Sequence, residues 1–219
     1  MSDVELSEGK NILRSVERYY SGRLAQHGAT ARGVDWNSEA SQQLRFDQLL
    51  KVCGTPQGPV SILDFGCGYG ALLDALTAKG WAFKYQGYDI CEAMTDAARA
   101  RHDADGRVRF VSELSALEPA DYVVASGIFN VRLETAEDVW KAYFQDTLGE
   151  MAVLATRGFS FNALTAYSDA DRQRPDLYYA DPITWFQHCR RRYSRHISLL
   201  HNYPLYEFTM LVNLVPLES

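Results

Sequence analysis

Residues 61–70 read SILDFGCGYG. The apolar pair Ile62 and Leu63 leads into Asp64, and glycines stand at Gly66, Gly68 and Gly70. The residues that follow, ALLDALTAKG, place apolar side chains at helical spacing. A strand, a glycine turn and a helix in that order form the opening unit of a nucleotide-binding α/β domain. Glycine suits the turn because the backbone must bend sharply and admit a ligand where a Cβ would stand in the way.

The spacing also satisfies a loose dinucleotide fingerprint, Gly66-x-Gly68-x-x-Ala71. Asp64 opposes that reading, since a pyrophosphate over the loop would face a carboxylate with no cation to neutralise it. The same charge favours a ligand that is cationic at this point. S-adenosylmethionine, with a sulfonium, an ammonium and no phosphate, is such a ligand. The stretch LDFGCGYG resembles the first motif of the class I S-adenosylmethionine-dependent methyltransferases, an acidic residue followed by GxGxG.

That resemblance implies a Rossmann-like, doubly wound α/β fold. Its sheet would have seven strands, mostly parallel, with an antiparallel last strand. It implies S-adenosylmethionine as cofactor, S-adenosylhomocysteine as product, and contacts from Asp64, Gly66, Cys67, Gly68 and Gly70. Asp89 ends a second expected strand, FKYQGYDI, 23 positions after Gly66. A carboxylate there can accept both hydroxyls of a ribose. The family places apolar contacts to adenine at Ile90 and Met94. It places a polar contact and a backbone N–H at Glu113 and Leu114. Ser126 and Gly127, after a fourth strand DYVVASGIF, stand where it presents groups to the methionine moiety and the acceptor. Asn130 and Arg132 follow, suited to orient an acceptor or pair with its carboxylate or phosphate. The Asn/Asp-Pro-Pro-aromatic run of adenine N-methyltransferases is absent; the sequence reads SGIFN.

Composition sets the bounds. The 219 residues suffice for one domain with a substantial core. Apolar residues at 47% and charged residues at 23% are ordinary globular usage. A net charge of −6 disfavours broad electrostatic binding to nucleic acid or anionic membrane. Cys53, Cys67, Cys91 and Cys189 form no CxxC pair and no metal-ligand spacing, which reads as reduced thiols in cytoplasm. The polar start MSDVELSEGK carries no signal-peptide pattern, and no apolar run reaches a membrane span.

The expected organisation is an N-terminal helical extension or lid over residues 1–57 and a cofactor-binding core over 58–219. Helices are expected at Glu8–Tyr20, capped by Ser7, and from Ser38 to Cys53, with a looser glycine-bearing stretch between. Tyr19, Tyr20, His27 and Trp36 are candidates for the lid's inner surface. Further helices are expected over Glu92–Arg101, over Thr135–Ala155 with a Thr135/Asp138 capping box, and from Asp181-Pro182 onward. The cations Arg190 to Arg192 suit that last helix's C-terminus. Strands are expected at Arg107–Val111, Gly158–Thr165, Ile197–His201 and Glu207–Val215. The loop after Thr165 brings Tyr178 and Tyr179 towards the ligand edge.

Methyl transfer from a sulfonium is an in-line displacement on an activated donor, so alignment and exclusion of water matter most. Tyr20, His27, Asn130, His201 and Tyr203 are the candidates for a base or orienting group, with no motif to select among them. His188, His196 and His201 lie eight and five apart, which fits no helical zinc pair, so no metal is expected. The favoured reading is methyl transfer to O, N or C of a small molecule. Transfer to RNA, protein or carbohydrate, an NAD-dependent oxidoreductase, and a binder without turnover stay open. The acceptor and the oligomeric state are left open too.

Overall fold

The computed structural model describes residues 3–102 and 106–215. Seven strands form one sheet: β1 (Val60–Phe65), β2 (Phe83–Tyr88), β3 (Val108–Val111), β4 (Ala120–Ala125), β5 (Ala155–Leu164), β6 (His196–Leu200) and β7 (Glu207–Asn213). Their order is β3-β2-β1-β4-β5-β7-β6. Strands β1 to β5 pair in parallel, and β7 runs antiparallel to both β5 and β6. The chain winds outward in both directions from β1 and β4, so their carboxyl ends form the topological switch point where ligands bind in open α/β sheets. Asp64 pairs with Gly87 on one side and Val124 on the other, at that edge.

The central strands are buried on both faces and read as nearly continuous apolar runs, as parallel strands do. On one face, α2 (Glu39–Leu49) and α3 (Ala71–Ala78) pack Phe46, Leu49, Leu72 and Leu76 over Ile62, Tyr122 and Val124. Ala98 of α4 (Glu92–Arg101) joins them. On the other, α5 (Glu137–Leu154) presents Trp140, Phe144, Leu148 and Met151 at helical spacing. Trp185 of α6 (Pro182–Arg192) stacks on Phe144, which also stacks on Phe129.

Only a single 3-10 turn, Leu114–Ala116, joins β3 to β4. No crossover helix therefore covers β1 and β2 on the α5 face. The N-terminal helix α1 (Asp3–His27) supplies cover instead, with Ile12 in the same apolar cluster as Phe65, Tyr88 and Trp140 and Val16 against it.

Helix α1 is longer than the pattern predicts. It passes through Ser7 and Gly22 and stops at Gly28, whose φ of +67° and N–H bond to Leu24 O (2.7 Å) make a glycine C-terminal stop. Ser38 does cap α2, its Oγ accepting from Ser41 N–H. Asp181 likewise caps α6 through Ile183 and Thr184. The Thr135/Asp138 box does not form, because α5 starts after Ala136, which makes no side-chain cap bond. Strand β4 ends at Ala125, four residues early, where Ser126 and the left-handed Gly127 (φ +77°) turn the chain.

Candidate functional site

A cavity of about 560 Å³ opens at the carboxyl ends of β1, β2 and β4. Its floor is the glycine loop. Gly66, Gly68 and Gly70 take φ of +86°, +51° and +82°, a region L side chains rarely adopt. Gly66 and Cys67 both donate their N–H to Tyr88 O, at 2.7 and 2.8 Å. A Cβ on Gly66 would stand 2.2 Å from Ile128 Cγ2, so the loop and the turn after β4 meet here without room for a methyl.

Asp64 and Asp89 supply the charge. Asp64 is 2% exposed, and its Oδ2 accepts from Tyr85 OH at 2.7 Å. Burial pushes its carboxyl up to about 7, against the downward pull of the Tyr85 bond. Asp89 accepts from Gly68 N–H (2.8 Å) and Cys91 N–H (2.9 Å), which ties the glycine loop to the end of β2. Burial pushes it up to about 6, in spite of those two bonds. The Ser126 hydroxyl is buried at the wall and pairs with no protein group.

The walls are mostly apolar. Ile12, Leu13, Val16 and Tyr20 of α1 face Val139 and Tyr143 of α5; Val34, Trp36 and Phe46 close the opposite side. Helix α1 is held down at two places. Ser21 Oγ meets Cys91 Sγ at 3.1 Å. Asp35, in a left-handed conformation (φ +62°), receives Tyr19 OH at 2.8 Å and Arg23 Nη2 at 2.9 Å. Arg174 Nη1 approaches the same carboxylate at 3.5 Å, so the loop after β5 joins the clasp.

Of the residues expected at the cofactor, Asp64, Gly66, Cys67, Gly68, Asp89, Ile90, Met94, Leu114 and Ser126 line the cavity. Gly70 sits behind the loop against the His102 ring, and Gly127 is buried behind Trp36. Glu113 is exposed and outside the lining. Among the five candidate bases, Tyr20 alone lines the cavity. Asn130 is buried, its Oδ1 accepting from Leu164 N–H at 3.1 Å, and Tyr203 OH pairs with Thr209 Oγ1 at 2.9 Å. His201 is exposed beside Tyr167, and His27 ends α1 away from the cavity. Arg132 donates to the carbonyls of Thr135, Pro175 and Leu177 and so braces a loop. Tyr178 is buried against Phe144, and Tyr179 OH accepts from Arg174 N–H. Val34, Gln42, Phe46, Tyr69 and Tyr143 line the cavity with no sequence signal to mark them, because each reads as ordinary helix or loop packing.

Among the described residues, no three His, Cys, Asp or Glu side chains gather so as to hold a metal ion. Nor is any described helix long and apolar enough to cross a membrane.

This fold matches known proteins. The family model described as "Methyltransferase domain" matches residues 36–201, and the chain belongs to that family. It is an S-adenosylmethionine-dependent methyltransferase with the Rossmann-like fold of that class. A relative from Mycobacterium tuberculosis, Rv1506c, whose name provisionally assigns it as a methyltransferase, is 51% identical over 154 residues, covering 70% of this chain and 93% of the relative. Among solved structures, the DhpI–S-adenosylhomocysteine complex superposes with a TM-score of 0.61 at 17% identity, over 92% of this chain and 96% of its own. Magnesium protoporphyrin IX methyltransferase from Synechocystis PCC 6803, bound to S-adenosylhomocysteine, gives 0.59 at 15% identity, over 80% and 84%.

Proposed function

We propose that the cavity binds S-adenosylmethionine and a small-molecule acceptor together, and that the methyl passes to an O, N or C atom of an uncharged or cationic acceptor. The observation that carries this is the charge of the lining. Glu17, Asp64, Asp89, Asp146 and Glu150 face the cavity, and among the described lining residues there is no Lys, Arg or His. A phosphate-bearing cofactor or acceptor would meet uncompensated carboxylates, whereas a sulfonium and an ammonium would not. The volume lies within the roughly 300–1,000 Å³ of small-ligand pockets. Residues 1–57 act as the lid, with α1 clasped over the crevice by Asp35. Four buried, unpaired cysteines suit a reducing compartment, and we place the enzyme in the cytoplasm.

The residues fit the cofactor. The glycine cradle has no room for a Cβ at Gly66, Asp64 and Asp89 offer carboxylates to cationic and diol groups, and Ser126 Oγ has a free hydrogen-bonding hydroxyl. When bound, S-adenosylmethionine supplies a methyl already activated by its sulfonium. The chain's part is to hold the acceptor in line and keep water out. Ile90, Met94 and Leu114 offer an apolar slot for a flat ring, and Ile12, Val16, Val139 and Tyr143 exclude water beyond it. Burial, then the nearby Asp35, pushes the Tyr20 phenol up, so it stays protonated and orients an acceptor as a hydrogen-bond donor.

Two expected outcomes follow from the carboxylates. Asp89→Ala weakens S-adenosylmethionine binding by about 1.5–3 kcal/mol, since charge-assisted bonds to the ribose and the Gly68 anchor go together. Calorimetry measures it, and an unchanged affinity places the ribose elsewhere. The second concerns pH. A cationic ligand selects ionised Asp64, which in the free protein takes up a proton near pH 7. Affinity therefore falls as pH drops, by about tenfold from pH 7.5 to 6. A flat profile across that range contradicts the contact.

The acceptor claim is tested with methyl-labelled cofactor and a panel of uncharged, amine-bearing and anionic small molecules beside RNA and protein. Label entering the first two classes is expected; label entering only anionic or macromolecular acceptors overturns the reading.

A further inference from the structure

The turn after β4 is held from behind by a closed ring of side chains, of which Arg45, Asn162 and Glu207 are buried and Trp36 is half-buried. Gly127 donates its N–H to Asn162 Oδ1 at 2.8 Å. Asn162 Nδ2 donates to Glu207 Oε2 at 2.5 Å. Arg45 Nε donates to both Glu207 oxygens, at 2.8 and 2.9 Å, and its Nη2 closes on Oε1. The Trp36 ring lies on the Arg45 guanidinium, 3.8 Å from its centroid, and returns to Gly127, where a Cβ would stand 2.3 Å from Trp36 Cζ2. Arg45 is 5% exposed, Asn162 0% and Glu207 1%. The ring joins the lid segment at Trp36, helix α2, and strands β5 and β7 to one turn. Trp36 and the two neighbours of Gly127, Ser126 and Ile128, line the cavity.

Stability alone does not call for this arrangement. A buried ion pair is often replaceable by apolar side chains of like volume without loss. What the charges supply is direction. The guanidinium fixes the Glu207 carboxylate, which accepts only, so the Asn162 amide must turn its NH2 that way and its oxygen to Gly127. Arg45 Nη1 is left buried without a hydrogen-bond partner, which the face of Trp36 offsets in part.

We propose that Arg45, Glu207, Asn162 and Trp36 are positioning residues that hold the Ser126–Ile128 wall in register with the bound cofactor. This rests on the reading of the cavity as the methyl-transfer site. Small displacements at such a wall are costly to aligned chemistry.

The test is an exchange of acid and amide. Asn162→Asp and Glu207→Gln are made singly and together, and S-adenosylmethionine affinity, melting temperature and the Gly127 amide proton shift are measured for each. Each single variant is expected to weaken binding by about tenfold or more and to shift the Gly127 amide. The double variant restores the ring with its roles reversed, the new amide donating to the new carboxylate, and recovers both readouts to within about threefold of wild type in affinity. Asn162→Ala leaves the Arg45–Glu207 pair in place and serves if a charged variant fails to fold, with the same tenfold loss and amide shift expected. Near-wild-type affinity in a folded single variant, an unmoved Gly127 amide, or a double variant as weak as the singles overturns the proposal. Wild-type protein that does not bind S-adenosylmethionine overturns the site reading first, and this proposal with it.

Discussion

Asp64→Asn is expected to remove S-adenosylmethionine binding and yet leave the apoprotein more stable at pH 8. The side chain is 2% exposed, and burial raises its carboxyl from the ordinary 3.8 to about 7. Between those values the folded chain holds a proton that the unfolded chain has released. Stability contributed by this group is therefore full below pH 4 and lost as pH rises through 7. Asparagine keeps an oxygen for the Tyr85 hydroxyl and carries no charge to desolvate. We expect a gain of roughly 1–3 kcal/mol at pH 8 that vanishes near pH 4. The cost falls on the ligand: losing the partner of a buried cation weakens binding by about 2–5 kcal/mol. Thermal denaturation at the two pH values and calorimetry at pH 8 check both halves. Unchanged affinity would remove Asp64 from the site.

Gly66→Val carries the second large effect. The residue sits at φ +86°, and a Cβ there meets Ile128 Cγ2 at 2.2 Å. Left-handed backbone costs a β-branched residue about 1–2 kcal/mol, and crowding in packed surroundings typically about 1–3 more. For a chain of this size that lowers the melting temperature on the order of 10 °C. The larger consequence is at the crevice, where the loop and the turn after β4 are pushed apart and no saturable cofactor binding is expected. Wild-type affinity in a folded Gly66→Val protein would show that the ligand lies elsewhere.

Much of the fold is legible because its signals are local. The strand, glycine turn and helix at 61–78 need only neighbouring residues, and so do the caps at Ser38 and Asp181. The family resemblance then fixed the strand count and the reversed last strand, which no local pattern carries. The true length of α1 was hidden because Gly22 reads as a break; the helix runs on past it, where Ser21 meets Cys91 and Arg23 pairs with Asp35 on either side of the glycine. At the site, Asp64 and Asp89 were legible because a carboxylate at a strand end beside a glycine loop has few other uses. Asn130 and Tyr203 misled because polar residues in loops serve the fold as readily as a ligand, and here they bond Leu164 and Thr209. The ring behind Gly127 was beyond reach, since Arg45 and Glu207 are 162 residues apart and meet only once β7 is inserted. The acidic lining has the same origin, being contributed by α1, β1, the residue after β2 and α5 together.

The central claim is that the crevice over the glycine loop takes a cationic nucleoside and rejects a pyrophosphate. Calorimetric titration of the purified protein with S-adenosylmethionine, S-adenosylhomocysteine and NAD in parallel tests it most directly. Saturable binding of the first two, with no heat from NAD, is the predicted result. Binding of NAD, or of neither sulfur compound, would contradict it.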